Sequence, residues 1–242
     1  MTDPRFSACL LTTAYLPPVE YFYAIAHSGR VWIEQHENYQ KQSWRSRCRI
    51  LSAGGPEDLS IPIVKEERRS RPIRDIRIDY GEPWLQHHIR AFSAAYNASA
   101  YYDYYADELI PILESKPVFL FDLNMELLEK LLDLLDLHVP VDLTESYSPT
   151  ALRSDIPFPS QKNCSGNGIS PAPLIDLRER IQPKYKGESL LAEFGREQAY
   201  YQVFVNRIPG QAGDDGASSF IPNLSILDLL SAEGPDAGRF LL

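Results

Sequence analysis

The chain has 242 residues, of which 44% are hydrophobic and 24% charged, and it carries a net charge of −9 with a pI of about 5.1. That length buries a sizeable core as one large or two small domains, while the acidity argues against a general nucleic-acid binder, whose surface is normally basic. Met1 to Arg5 lacks the basic start and apolar run of a signal peptide, and no window has the apolar length needed to cross a bilayer, so a cytoplasmic protein is expected.

Taken in order, residues 8–13 read as a buried first strand, followed by Ala14-Tyr15-Leu16-Pro17-Pro18 and a helix from Val19 to His27. Proline at the entry is preorganised for a first turn, Glu20 suits the positive end of the helix dipole, and Gly29 suits the exit. Arg30 to Gln35 has strand character. The stretch from Glu34 to Ile50 then concentrates the polar chemistry of the chain: His36, Glu37, Tyr39, Lys41, Gln42, Trp44, Arg45 and Arg47 fall within a few residues of one another. If it runs extended, Arg45, Arg47 and Arg49 share one face while Trp44, Cys48 and Ile50 share the other. Three permanently charged guanidiniums on one face suit a carboxylate or phosphate, although a solvated sheet face reads the same way.

Gly54-Gly55-Pro56 marks the turn of a hairpin. Lys65 to Arg71 is a charge run, and Ile73 to Tyr80 alternates as a second strand, so the middle of the chain predicts an antiparallel or mixed sheet. From Trp84 the period changes: Trp84, His88, Phe92 and Tyr96 fall four apart on one helical stripe. Tyr101 to Tyr105 opens a second helix that Lys116-Pro117 stops. Asn124 can cap a third, whose leucines from Leu127 to Leu135 make it core or the face of a homodimer. Residues 149–173, rich in Pro, Ser and Gly, read as a long loop or linker. Tyr200 to Val205 reads as a late strand, and Pro209 to Ser219 as a second loop. Ser225 and Asp228 carry a helix-start pattern with Gly234-Pro235 as its stop. Strands first and helices after favour α+β, with the opening strand-helix-strand unit leaving room for a mixed α/β component. The expected organisation is a single domain with an N-terminal mixed or antiparallel sheet and a central helical segment, built from a core over residues 1–148, the loop at 149–173, and a segment at 174–242 packing back.

Cys9, Cys48 and Cys164 are widely spaced and form no CxxC pair, which suits a reducing compartment and neither a zinc site nor a disulfide framework. Cys48 reads as a small buried hydrophobe. His36 and His88 alone are not a metal site, so no metal is assigned, and no motif names a cofactor.

The runs YLPPVEYF, HENYQKQSWRSRCRI, LSIPI, IRIDYGEPWLQHHIRAFSAAYNASAYYDYY and FIPNLSILDLLSAEGP together resemble the WbqC-like family, which is associated with O-antigen and related surface-polysaccharide gene clusters. The resemblance leaves out roughly residues 149–173. Many members open with His-Gln-Pro-x-Tyr-x-Pro; here the stretch from Thr12 to Pro17 keeps the Tyr and the Pro and lacks the His, so a role built on that His has no carrier. The same resemblance places a His after Trp84 in the family motif, which makes His88 a catalytic candidate beside the plainer reading of a hydrogen-bonded core histidine.

The resemblance and the cationic stripe together imply a transferase-like enzyme acting on a small anionic substrate, an activated sugar or acyl donor. His36, Glu37 or His88 would move a proton; Lys41, Arg45 and Arg47 would hold the anion; Tyr39 and Trp44 would stack, with Tyr15 and Gln42 completing the binding set. Two alternatives stand beside it: a non-catalytic partner protein in the same pathway, and a nucleic-acid modifier, against which the net acidity argues.

Overall fold

The computed structural model describes residues 5–65, 71–147, 174–194, 199–205 and 220–242. Its main sheet has four strands in the order β5-β2-β1-β6, every neighbouring pair parallel. The two central strands, β1 (Ala8–Thr12) and β2 (Val31–Glu34), are apolar runs without alternation and are covered on both faces, as strands inside a parallel sheet must be. Between them α1 (Val19–Ala26) provides the crossover and is buried along almost its whole length. The outer strands β5 (Val141–Leu143) and β6 (Leu174–Asp176) have three residues each and are half-buried or exposed.

Beside this sheet stands the hairpin β3 (Arg47–Ser52) and β4 (Gly55–Ser60), antiparallel, with Gly55 at φ +113 past the turn. Three helices follow: α2 (Trp84–Tyr96), α3 (Tyr102–Glu114) and α4 (Leu120–Leu134). Short α5 (Leu190–Glu193) and the terminal α6 (Ile226–Glu233) complete the set. The mixture is α+β. The parallel component is larger than the sequence order suggested, because β5 and β6 come after the helices and return to the edges of the first sheet.

The end of the chain is fastened to its beginning. Leu224 O accepts from Val19 N, Pro17 O accepts from Ile226 N, and Ser225 Oγ donates to Leu16 O at 2.9 Å while capping α6 at Leu227 N. Leu16 has φ +42, a conformation that costs a branched residue energy, and the Ser225 bond is one of the contacts that holds it there. Glu20, buried at the start of α1, accepts from Asn223 Nδ2 and Leu190 N, so the dipole-facing carboxylate also clamps two later segments.

Several local expectations change. Residues 73–80 form a 3-10 turn (Ile73–Asp75) and two isolated bridges, Ile63 with Ile78 and Arg77 with Phe119, in place of a continuous strand. Tyr200 to Val205 is turn and coil with no strand. Asn124 lies inside α4, which begins at Leu120, and its buried amide donates to Arg45 O at 2.8 Å rather than capping. Of the leucines expected as core or dimer face, Leu127, Leu128, Leu131, Leu132 and Leu135 are buried in the core and Leu134 is half-buried against it. Cys9 and Cys48 are fully buried free thiols; burial pushes the first up to about 12 and the second higher still. The loop expected at residues 149–173 and the one from Pro209 to Ser219 lie outside the described residues. No helix among the described residues is long and apolar enough to cross a membrane.

Candidate functional site

In an open parallel sheet the loops leaving the carboxyl ends of the strands converge on one edge, and ligands bind there. Here that edge carries Glu34 to Glu37 after β2, Thr144 after β5, and Asp176 to Arg178 at the end of β6. Glu34 is fully buried and is the hub: its carboxylate accepts from Thr144 Oγ1 at 2.8 Å, from the His36 backbone N–H at 2.8 Å and from Arg178 Nη1 at 3.3 Å. Arg178 in turn grips Asp176 through Nε and Nη2 at 3.0 and 2.8 Å and lies over the Tyr147 ring. Bonds within each segment and from Thr144 and Arg178 to Glu34 tie the three loops together.

His36 follows directly. Its Nε2 lies 3.1 Å from Thr144 O, and a carbonyl can only accept, so Nε2 carries the proton. Nδ1 has no hydrogen bond among the described residues. The ring therefore presents an oriented acceptor nitrogen, as a general base requires. Glu37, next along, is 6% exposed and takes a bidentate grip from Arg45, Nε to Oε1 at 2.7 Å and Nη2 to Oε2 at 2.5 Å. Burial pushes the Glu37 carboxyl above its ordinary value, and Arg45 offsets part of that rise.

The polar loop then acts as a wall between two hollows. On one side His36, Glu37, Asn38 and Gln40 line a hollow of about 460 Å³, completed by Tyr147, Arg178 and Glu179. On the other, Tyr39, Lys41, Gln42, Ser46 and Arg47 line a hollow of about 340 Å³ with Ser60, Glu82 and Trp84. The Tyr39 hydroxyl is bonded to Ser46 Oγ at 2.9 Å, and Gln42, at φ +56, turns the chain back toward the hairpin. A larger depression of about 1190 Å³ runs along α4, but it is lined by Asp122, Glu126, Glu129 and Asp133, and its Lys130 is tied to Glu108. An anionic ligand finds no welcome there.

The predicted site residues thus fall into four places. His36 and Glu37 share the first hollow, and Tyr39, Lys41, Gln42 and Arg47 share the second. Trp44 and Arg45 are buried behind the loop in a 3-10 turn, so Arg45 does not share a face with Arg47 and Arg49. The alternation begins only at β3, where Cys48 and Ile50 are buried and Arg47 and Arg49 both pair with Asp58 across the hairpin. Tyr15 and His88 form a core pair: Tyr15 Oη lies 3.0 Å from His88 Nδ1, and both are at most 1% exposed. Burial, helped by neighbouring His87, pushes the His88 imidazole down to about 4 and keeps it neutral. Neither residue lines either hollow.

Sequence reasoning did not single out Arg178, Tyr147, Glu179, Glu82 or Trp84 as site residues. Arg178 meets Glu34 across 144 positions of sequence, and no local spacing signals such a meeting. Trp84 was visible as a core-stripe aromatic; that its ring, in a residue 94% buried, also lines the second hollow only coordinates reveal. Among the described residues, no group of three His, Cys, Asp or Glu side chains gathers to hold a metal ion.

Residues 13–166 match the WbqC-like protein family. The chain is also similar to Uncharacterized protein Rv1507c of Mycobacterium tuberculosis, 33% identical over 237 residues, covering 96% of each chain. No solved structure gives a significant match.

Proposed function

Because the chain belongs to the WbqC-like protein family, we propose that it is an enzyme of surface-polysaccharide assembly that transfers a group from an anionic, activated sugar or acyl donor. The acid–base step belongs to the hollow at the carboxyl edge of the parallel sheet. The observation that carries this reading is His36, half-buried, with Nε2–H fixed on Thr144 O and Nδ1 left as an acceptor. In that role Nδ1 removes the proton from an acceptor hydroxyl or amine as it attacks the donor, then returns it to the departing group. Arg178, immobilised by Glu34 and Asp176, supplies a fixed positive charge near the same space at no cost in reorganisation.

Lys41 and Arg47 hold the anionic part of the donor in the second hollow, which the same loop lines. Lys41 is exposed and in no ion pair among the described residues, and Arg47 shares the single carboxylate of Asp58 with Arg49, so two guanidiniums face one carboxylate on that side of the hairpin. Arg45 and Glu37 serve this arrangement indirectly, by tying the two ends of the loop together.

The test is His36→Gln, which keeps an Nε2-like donor for Thr144 O and removes the basic nitrogen. Screened against nucleotide sugars and acyl thioesters under single-turnover conditions, the variant should bind the donor as the parent does and lose about 10²- to 10⁴-fold in rate. Turnover at the parental rate, in a variant whose melting curve matches the parent, refutes the assignment.

A further inference from the structure

The second hollow combines three kinds of group that one ligand class satisfies together. Its lining includes two cations, Lys41 and Arg47, the latter also bonded to Asp58 and Ser60. It also includes hydrogen-bonding groups that suit hydroxyls, the exposed Glu82 carboxylate and the Gln42 amide. The third is Trp84, whose largely buried ring lines the hollow and is held by Tyr80 and His88 at centroid distances of 5.7 and 5.0 Å.

A bare anion would use the two cations and be repelled by Glu82. An acyl chain would use the apolar wall of Ile61, Pro62 and Ile63 and leave Glu82 and Gln42 desolvated without partners. A phosphorylated sugar uses all of them: phosphate against the cations, hydroxyls donating to Glu82, and an apolar ring face against tryptophan and proline. The volume of about 340 Å³ lies at the small end of ligand pockets, enough for one sugar unit with its phosphate and too small for a whole nucleotide sugar.

We propose that this hollow seats a monosaccharide phosphate, with the phosphate on Lys41 and Arg47, sugar hydroxyls on Glu82 and Gln42, and an apolar face of the sugar against the Trp84 ring. This rests on the donor-binding half of the function proposed above and narrows its donor from sugar-or-acyl to sugar. Binding is measured by calorimetry on the full chain carrying His36→Gln, so that no turnover consumes the ligand. The probes are glucose, galactose and mannose 1-phosphates, the free sugars, inorganic phosphate and acetyl phosphate.

At least one hexose 1-phosphate should bind about tenfold or more tightly than its free sugar and than inorganic phosphate. Adding Trp84→Leu, which keeps apolar bulk and removes the flat ring face, should weaken that binding about tenfold. Glu82→Gln should weaken the hexose phosphate while inorganic phosphate, freed of a like charge, binds at least as tightly as before, whereas Lys41→Ala should weaken both. The proposal is overturned if no hexose phosphate exceeds phosphate alone, if acetyl phosphate binds as tightly as the best sugar phosphate, or if the Trp84→Leu protein binds like its parent. A His36→Gln enzyme that still turns over would instead remove the acid–base reading and leave these affinities standing.

Discussion

Replacing Arg45 by alanine removes the largest fully buried side chain of the protein and strands its partner. In the parent, two short charge-assisted hydrogen bonds tie Arg45 to Glu37, whose side chain is 7% exposed. Breaking a buried pair from one side costs about 3–5 kcal/mol, because the remaining charge keeps its desolvation penalty and loses its compensation. Set against a whole-domain stability of about 5–15 kcal/mol, that is a large fraction. With a urea dependence of about 1–3 kcal/mol per molar, the unfolding midpoint should fall by at least about 1 M.

The effect should also depend on pH, in a direction fixed by Glu37. Burial already raises its folded-state pKa above the ordinary 4.5, and Arg45 works against that rise. Without Arg45 the rise is larger, so the folded state holds the proton more tightly than the unfolded one. Stability of the variant should therefore be highest below about pH 4.5 and fall as pH climbs through the raised value. Urea titrations at pH 5 and pH 8, with Glu37→Gln/Arg45→Ala as the control that removes the stranded charge, check both statements. A loss under about 1 kcal/mol, equal at the two pH values and unchanged in the double variant, would refute the reasoning.

Two other predictions concern stability. His88 is held neutral at about 4 against an ordinary 6.5, so it contributes ~3 kcal/mol that is present above about pH 6.5 and lost as pH falls toward 4. Asp228, buried and bonded to Gln202 Nε2 at 3.1 Å, has its carboxyl raised by burial from 3.8 to about 6, so its stabilising contribution runs the opposite way and is lost as pH rises from 3.8 to 6. The two slopes oppose each other in the parent; His88→Phe should leave a protein that loses stability on going from pH 4 to pH 6, and Asp228→Asn one that gains it, both read from thermal melts across that window. Gly234 closes α6 at φ +58, and a Cβ placed there would lie 2.6 Å from the Tyr101 ring. Gly234→Ala should therefore lower stability by more than about 1 kcal/mol, with Tyr101→Ala recovering the steric part and not the conformational part in the same melts.

Local pattern carried far in some parts of this chain and stopped short in others. β1, α1, β2, the hairpin and the helices α2, α3, α4 and α6 were legible because each writes its own period or turn chemistry into consecutive residues, whereas the four-residue α5 was not. The cap at Ser225 with its stop at Gly234 was legible too. β5 and β6 were not, since three residues are too few for a period, and their strand character comes from the parallel neighbours that pair with them. Residues 73–80 alternate as a strand would, but Ile63 and Phe119 offer only single bridges to pair with, and the ladder has nowhere to extend.

The composition of the candidate site was set by the sequence: a single polar loop supplies His36, Glu37, Tyr39, Lys41, Gln42 and Arg47, and the charge and ring chemistry of those residues is intrinsic to them. Tertiary structure alone decided their division. A 3-10 turn takes Arg45 out of the arginine stripe and sends it inward to Glu37, the loop parts the remainder between two hollows, and Tyr15 and His88 meet in the core. The reason is physical: which way a side chain points follows from backbone dihedrals that distant partners fix. Here those partners are Thr144, Arg178 and Asn124, each contributed by a segment that no spacing in the sequence connects to the loop.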